Sequence, residues 1–385
     1  MAPVLALVVA AATLGAAVAA AAADEGGLGD PTAEPPAAAL AAAAPRTPRL
    51  SWWVDGPING GCPGWGLPYP GFSPAAKRQP SCWNNTFTLM AEHAELIDEV
   101  ELSVGLGLSN VSHGLIDLDR DGSEWGPGYR IKPEEWLSHY VPDLLAVLKP
   151  HTEIMIPFFF GQGKDNNATQ VAQQGYANAD ALAAQMVQLA TDHDWISGYL
   201  LDYEVYCGET VESRAQCVPL EAERLTAFFK TLSTALHAKG KKLGFCTNKN
   251  GAGFEHWPYY SQYLAAGVDR LYEMGTYLNH TKHGGPSDRE NVTQQLFTYP
   301  LQNTAFGLGD YGLVDTTEEA AAWLHELYTQ SAAMEGELQV HVFDLFGARP
   351  PTTCANISER FDHSCPRPPM DWWPVLEQFH SGHLH

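Results

Sequence analysis

The feature that most restricts how this chain folds is a series of short, almost continuously apolar segments separated by stretches of helical periodicity. Residues 50–54, 100–104, 154–160, 196–203, 243–247, 270–277, 304–308 and 340–346 read as strands. Several have no polar face, which suits strands covered on both sides, as in a parallel sheet. Between them lie amphipathic helices. Leu182, Met186 and Leu189 share one stripe, and Leu225, Phe229, Leu232 and Leu236 share another that Lys239 and Gly240 terminate. Thr316 and Glu319 form a capping box ahead of Trp323, Leu324 and Leu327. Eight strands with helices in most gaps predict an α/β fold of the (β/α)8 TIM barrel type, with long early βα loops. A doubly wound sheet would need a Gly-rich phosphate loop, and no GxGxxG or Walker A sequence is present.

The ends of the chain set its context. Residues 2–23 are uncharged and rich in Ala, Val and Leu, which reads as a signal peptide with small-residue cleavage positions. An uncleaved signal anchor is the alternative, because the stretch is long enough to span a bilayer. Residues 24–48 are mainly Ala, Pro and Gly and predict a disordered linker, leaving 49–385 as a single barrel domain. Cys62 with Cys82, Cys207 with Cys217 and Cys354 with Cys365 form near pairs, as an oxidising compartment favours, while Cys246 lies alone in an apolar run and reads as a buried thiol. Asn84, Asn110, Asn167, Asn279, Asn291 and Asn356 each begin a glycosylation sequon. Together these features predict a glycoprotein of the secretory lumen or the extracellular space.

Charge narrows the partners. With 22 Lys and Arg against 45 Asp and Glu, the formal charge is −23. Too few cations are available for a phosphate-binding face, so nucleic acid is excluded and anionic polymers are disfavoured. A neutral partner such as a carbohydrate fits. No cofactor is implied, and no HExxH or repeated CxxC spacing implies a metal. Asp117-Leu-Asp-Arg-Asp-Gly begins like a calcium loop, but its twelfth position is Gly128 where a bidentate Glu belongs, so it reads as a polar surface turn.

The chemistry concentrates in the fourth strand, Ser197-Gly-Tyr-Leu-Leu-Asp-Tyr-Glu. Residues two apart on a strand share a face, so Leu200, Asp202 and Glu204 line one side and Tyr199, Leu201 and Tyr203 the other. At the C-terminal mouth of a barrel strand, the first set looks into the active site. Two carboxyl groups this close hold one proton between them, and a protonated Glu204 beside an ionised Asp202 is a general acid. A lone D-x-E also reads as an ordinary strand end with two solvated acids.

This segment resembles the DGxDxDxE strand of family 18 glycoside hydrolases, the chitinases, chitobiases and endo-β-N-acetylglucosaminidases. Gly198, Asp202 and Glu204 match the glycine, the last aspartate and the acid, whereas Ser197 and Leu200 replace the first two aspartates. The resemblance implies that Glu204 protonates the glycosidic oxygen and Asp202 orients the 2-acetamido group, whose carbonyl attacks the anomeric carbon. That retaining, substrate-assisted route needs no protein nucleophile. Leu200 removes a partner that helps the neighbouring aspartate cycle its proton.

Val268-Asp-Arg-Leu-Tyr-Glu-Met-Gly-Thr-Tyr is similar to the family's V-D-x-x-x-x-M-x-Y-D segment, where the tyrosine braces the acetamido group. Tyr277 lies three residues after Met274 where the family has two, and a bulge at Gly275 would restore the spacing. Alternatively, Glu273 points inward and pairs with Glu204 as a carboxylate nucleophile, a role Asp344 in the eighth strand also fits. The resemblance covers roughly 51–347 and fades in the last strands, which lack the family's seventh-strand proline and eighth-strand tryptophan. The candidate catalytic residues are Glu204, Asp202 and Tyr277. The candidate substrate contacts are Trp52, Met274, Glu273, Asn248 and Asp344. Trp52 and Trp53 adjoin, so at most one of them points into the barrel. A carbohydrate-binding protein with impaired catalysis is the rival reading, motivated by Leu200 and the shifted Tyr277.

Overall fold

The computed structural model describes residues 47–55, 90–104, 106–119, 132–135, 137–138, 141–160, 168–203, 205, 211–247, 256–276, 288–309, 317–343 and 372–383. One sheet contains β1 (Arg49–Asp55), β2 (Glu99–Ser103), β3 (Leu106–Leu108), β4 (Glu153–Phe160), β5 (Gly198–Asp202), β6 (Lys242–Thr247), β7 (Arg270–Glu273), β8 (Thr304–Gly309) and β9 (Gln339–Phe343). The strand order is β2-β1-β9-β8-β7-β6-β5-β4-β3, and β2 also pairs with β4, which closes the sheet into a barrel. Every pairing is parallel. The segments β2 and β3 pair with the lower and upper parts of β4, through Glu99 opposite Glu153 and Leu106 opposite Phe158. They therefore act as one broken stave, and the barrel has the eight staves expected of an α/β (β/α)8 fold.

Register fixes how the interior is layered. Trp53 pairs with Glu101, Glu101 with Met155, Met155 with Gly198 and Gly198 with Lys242. Continued round to β9 and back, this path rejoins β1 eight residues before its start, the shear of a TIM barrel. With that stagger, inward side chains of alternate staves form rings. Glu99, Arg270 and Gln339 belong to the floor ring. Above it, Glu101, Leu200, Tyr272 and His341 form one ring, and Trp53, Pro157 and Cys246 belong to the next. Asp202 and Ser103 stand higher still, toward the mouth.

The outward faces explain why the strands read as continuously apolar. Leu50, Val100, Leu102, Ile156, Phe158, Leu201, Leu243, Phe245, Phe306 and Val340 are all buried in one large cluster with the surrounding helices. Those helices are α1 (Val141–Val147), α2 (Ala168–Ala177), α3 (Ala179–Asp192), α4 (Val211–His237), α5 (Tyr260–Ala265), α6 (Asp288–Leu296), α7 (Thr317–Ser331) and α8 (Trp373–His380). The stripes foreseen on α3 and α4 are buried against the strands, as are Trp323, Leu324 and Leu327 of α7. Past the end of α4, Gly240 takes φ +67°, the left-handed geometry that stops a helix. Gly198 is required for a different reason: a Cβ there would collide with the backbone carbonyl of Lys242 on β6.

One strand departs from expectation. The sixth apolar run predicts a strand through residue 277, but β7 ends at Glu273 and a 3₁₀ turn, Met274–Thr276, follows. The cause is local hydrogen bonding. The Glu273 carboxylate accepts the Gly275 N–H at 2.9 Å, and the Thr276 hydroxyl donates to the Gly307 carbonyl at 2.9 Å while accepting its N–H at 2.7 Å. The signal peptide and most of the linker expected at 1–46 lie outside the described residues.

Candidate active site

Asp202 is the last residue of β5 and therefore sits at the C-terminal end of the barrel, the end where TIM-barrel chemistry is built. Its cross-strand neighbours are Phe159 and Cys246, and only 6 % of the residue is exposed. Below it, Leu200 is fully buried among Trp53, Phe159, Cys246, Tyr272 and Ala305. The inward side of β5 thus presents a leucine and then a carboxyl group, in the alternation read from the sequence.

The outward side of the same strand is anchored. Tyr199 donates its hydroxyl to the Met186 carbonyl of α3 at 2.7 Å, and Tyr203 donates to the Glu221 carboxylate of α4 at 3.0 Å. Tyr176 of α2 donates to the same Glu221 oxygen at 2.6 Å. Burial pushes the Tyr176 and Tyr203 hydroxyls well above the ordinary tyrosine range, so both remain donors. His256 packs edge-on against Tyr203 and shares a 2.6 Å hydrogen bond with the Tyr263 hydroxyl; burial lowers its pKa to about 4, so the ring is neutral near pH 7. These contacts fix the strand end that carries Asp202.

Two expected substrate contacts require correction. Trp52 faces outward, donating its indole N–H to the Leu96 carbonyl at 3.1 Å and stacking on Trp373 of α8 at 4.8 Å. It belongs to the wall, and Trp53 is the member of the pair that enters the barrel. Glu273 also faces outward: its carboxylate accepts from the Tyr260 hydroxyl of α5 at 2.9 Å and from the Gly275 N–H. Its carboxylate faces away from the interior, so the inward-pointing second carboxylate read at this position is withdrawn. Met274, by contrast, packs against the interior cluster. Glu204, Tyr277, Asn248 and Asp344 lie outside the described residues, as do Thr316 and most of the calcium-like turn. In the described part of that turn Asp119 is paired with Lys132 at 2.9 Å.

Sequence reasoning missed a second set of interior polar groups. Glu101 and His341 are both fully buried, with His341 Nδ1 3.3 Å from Glu101 Oε2 and Nε2 3.4 Å from the Glu273 carbonyl. Beneath them Glu99 receives the Tyr272 hydroxyl at 2.5 Å and Arg270 at 2.9 Å, and Gln339 bonds Ser51 at 3.0 Å. Burial raises the Glu99 carboxyl above its ordinary range even though Arg270 opposes the shift. Burial alone would also raise Glu153, but Lys242 and Arg49 hold it below the usual value. The available signal was Glu99-Val-Glu101-Leu, two acids at strand spacing inside an otherwise apolar run. At this same floor a cavity of about 200 Å³ is lined by Met155, Lys242, Arg270, Tyr272 and Asn303, at the end of the barrel away from Asp202.

Cys246 is buried and outside any disulfide, as expected, and Cys217 is disulfide-bonded. Among the described residues no group of three or more His, Cys, Asp or Glu side chains is placed to hold a metal ion.

No family model matches the chain, and no curated protein does. Solved structures with a similar course include a chitinase from Chromobacterium violaceum, at 13% identity and TM-score 0.48 over 86% of this chain and 98% of that one. The spore cortex-lytic enzyme SleL of Bacillus megaterium matches at 9% identity and TM-score 0.48, over 78% of this chain and 71% of that one. The second catalytic domain of an Ostrinia furnacalis Group II chitinase matches at 12% identity and TM-score 0.43, over 68% and 63%. The barrel itself rests on the closed strand pairings and their register.

Proposed function

We propose that this chain is a secreted glycoside hydrolase acting on N-acetylglucosamine-containing glycans by a retaining, substrate-assisted mechanism. The observation that carries the reading is the placement of Asp202: an acid at the mouth end of β5, buried and directed inward, on the strand whose sequence resembles the family 18 motif. Glu204, two residues on, is the proposed acid and base. It protonates the leaving glycosidic oxygen as the acetamido carbonyl attacks the anomeric carbon, and it then takes a proton from the water that opens the cyclic intermediate. Asp202 orients the acetamido N–H, and Tyr277 braces its oxygen. Withdrawal of Glu273 favours this route over one with a carboxylate nucleophile supplied by β7.

The second reading, a binding protein without turnover, draws on Leu200, whose burial among apolar neighbours leaves no carboxyl at that position. Assay of the purified protein and of Glu204→Gln on aryl chitooligosaccharides and N-glycans separates the two. The hydrolase reading expects wild-type cleavage and a loss of about 10²–10⁴-fold in the variant, with binding retained. Binding by both proteins with cleavage by neither establishes the second reading.

A further inference from the structure

The ring beneath Asp202 contains one apolar and one ionisable pair of interest. Leu200 and Tyr272 occupy two of its positions, and Glu101 and His341 the others, as the register dictates. Glu101 is fully buried, yet its Oε1 has no hydrogen-bond partner among the described residues; only Oε2 is engaged, by His341. A buried carboxylate oxygen left open is costly unless something compensates its charge. With Glu101 ionised, the ring nitrogens of His341 face two acceptors, its carboxylate and the Glu273 carbonyl, and only an imidazolium donates to both.

From this arrangement we propose that Glu101 and His341 form a buried ion pair whose two charges balance each other at Asp202 from one ring below, on the interior that Leu200 leaves without a carboxyl group. The pair acts through Asp202 and touches no substrate, so both are positioning residues. Glu101 stands on β2, separated from Asp202 on β5 by the single stave β4, and the staggered register brings it beside Leu200. Among the described residues, the other ionisable groups facing it are Glu99 from its own strand, Tyr272 and Arg270 from β7, and Cys246 from β6; β1 and β4 present Ser51, Trp53 and Met155. Glu99 is already matched by Arg270 and Tyr272. That leaves the charge of Glu101 to His341. Opposite charges one ring below Asp202 in a poorly screened interior act on it with opposite sign, so that while both are present neither biases its ionisation. The inference deepens the hydrolase reading, because it concerns the partner of the proposed acid.

The test follows the carboxyl carbon of Asp202 by NMR in the full chain labelled at aspartate, assigned by its loss in Asp202→Asn and titrated with pH. Glu101→Gln leaves the cation and is expected to move the Asp202 midpoint to lower pH. His341→Gln leaves the anion and is expected to move it to higher pH, each by about one pH unit. The double variant, which leaves no unpaired charge and so folds even where a single variant does not, is expected to return close to wild type. Shifts of the same sign in both singles, no shift in either, or a displaced double variant would overturn the inference. Because this readout needs no turnover, failure of the ion pair and failure of the hydrolase reading are separate results.

Discussion

The floor and the mouth of this barrel are lined by the same strands yet organised on opposite principles. At the floor, acids are answered by cations: Glu99 has Arg270, with the Tyr272 hydroxyl beside it, and the partly buried Glu153 has Lys242 and Arg49. At the mouth, β5 ends on an acid whose strand neighbours, Phe159 and Cys246, supply no cation. Floor groups of a TIM barrel are spent on stability, whereas an acid at the strand C-terminus is available for chemistry. The difference teaches that an interior carboxylate is not by itself a sign of catalysis. Glu99, Glu101, Glu153, Asp202 and Glu273 are all wholly or partly buried, and depth and facing separate their roles.

Perturbing the two ends separately gives the sharpest contrast. Arg270→Met removes the principal partner of Glu99 and leaves a buried acid uncompensated, which is expected to cost about 3–5 kcal/mol of unfolding free energy in denaturant titrations. The same substitution should leave the pH profile of the proposed activity in place. A variant of unchanged stability would show the floor network to be dispensable.

The next effect comes from His256 in the wall. Its folded-state pKa, about 4, is depressed below the ordinary 6.5, because burial disfavours the charged ring. The unfolded chain therefore takes up a proton first as pH falls, so the stability contribution is fully present above pH 6.5 and is lost on the way down to about 4. The loss amounts to about 3 kcal/mol, and His256→Phe should flatten the melting temperature over that window. An equally steep acid dependence in the variant would assign it to other groups.

Tyr203→Phe gives the smallest change. It deletes one of two hydroxyls on a single Glu221 oxygen, with an expected cost of about 1 kcal/mol and turnover within tenfold of wild type. A larger drop in turnover at intact stability would make the anchoring of β5 from outside part of the catalytic machinery.

Much of the architecture was visible in the chain because buried parallel strands leave a strong signal, and each of the eight apolar runs contributes to one stave. The end of β7 was not visible. It depends on Thr276 reaching Gly307, a contact between residues 31 apart that no local pattern announces. Which of Trp52 and Trp53 enters the barrel was open for a similar reason: adjacent residues always take opposite faces, and only register against β2 and β9 decides. The facing of Glu273 follows the same rule, since alternation groups residues without saying which group points inward. For the site, Leu200 and Asp202 were placed correctly because the strand is short and its parity is pinned by Tyr199, Leu201 and Tyr203 in the outer core. Glu101 and His341 escaped notice because they are 240 residues apart and meet only when the sheet closes.

In the proposed mechanism the substrate's own acetamido group performs the displacement, with Asp202 and Glu204 as its protein partners. Comparing the cleavage rates of an aryl chitobioside and the matching aryl cellobioside, which lacks that group, tests it most directly. The account predicts cleavage of the chitobioside with the cellobioside at background. Comparable rates on both would contradict it, because the nucleophile would then have to come from the protein.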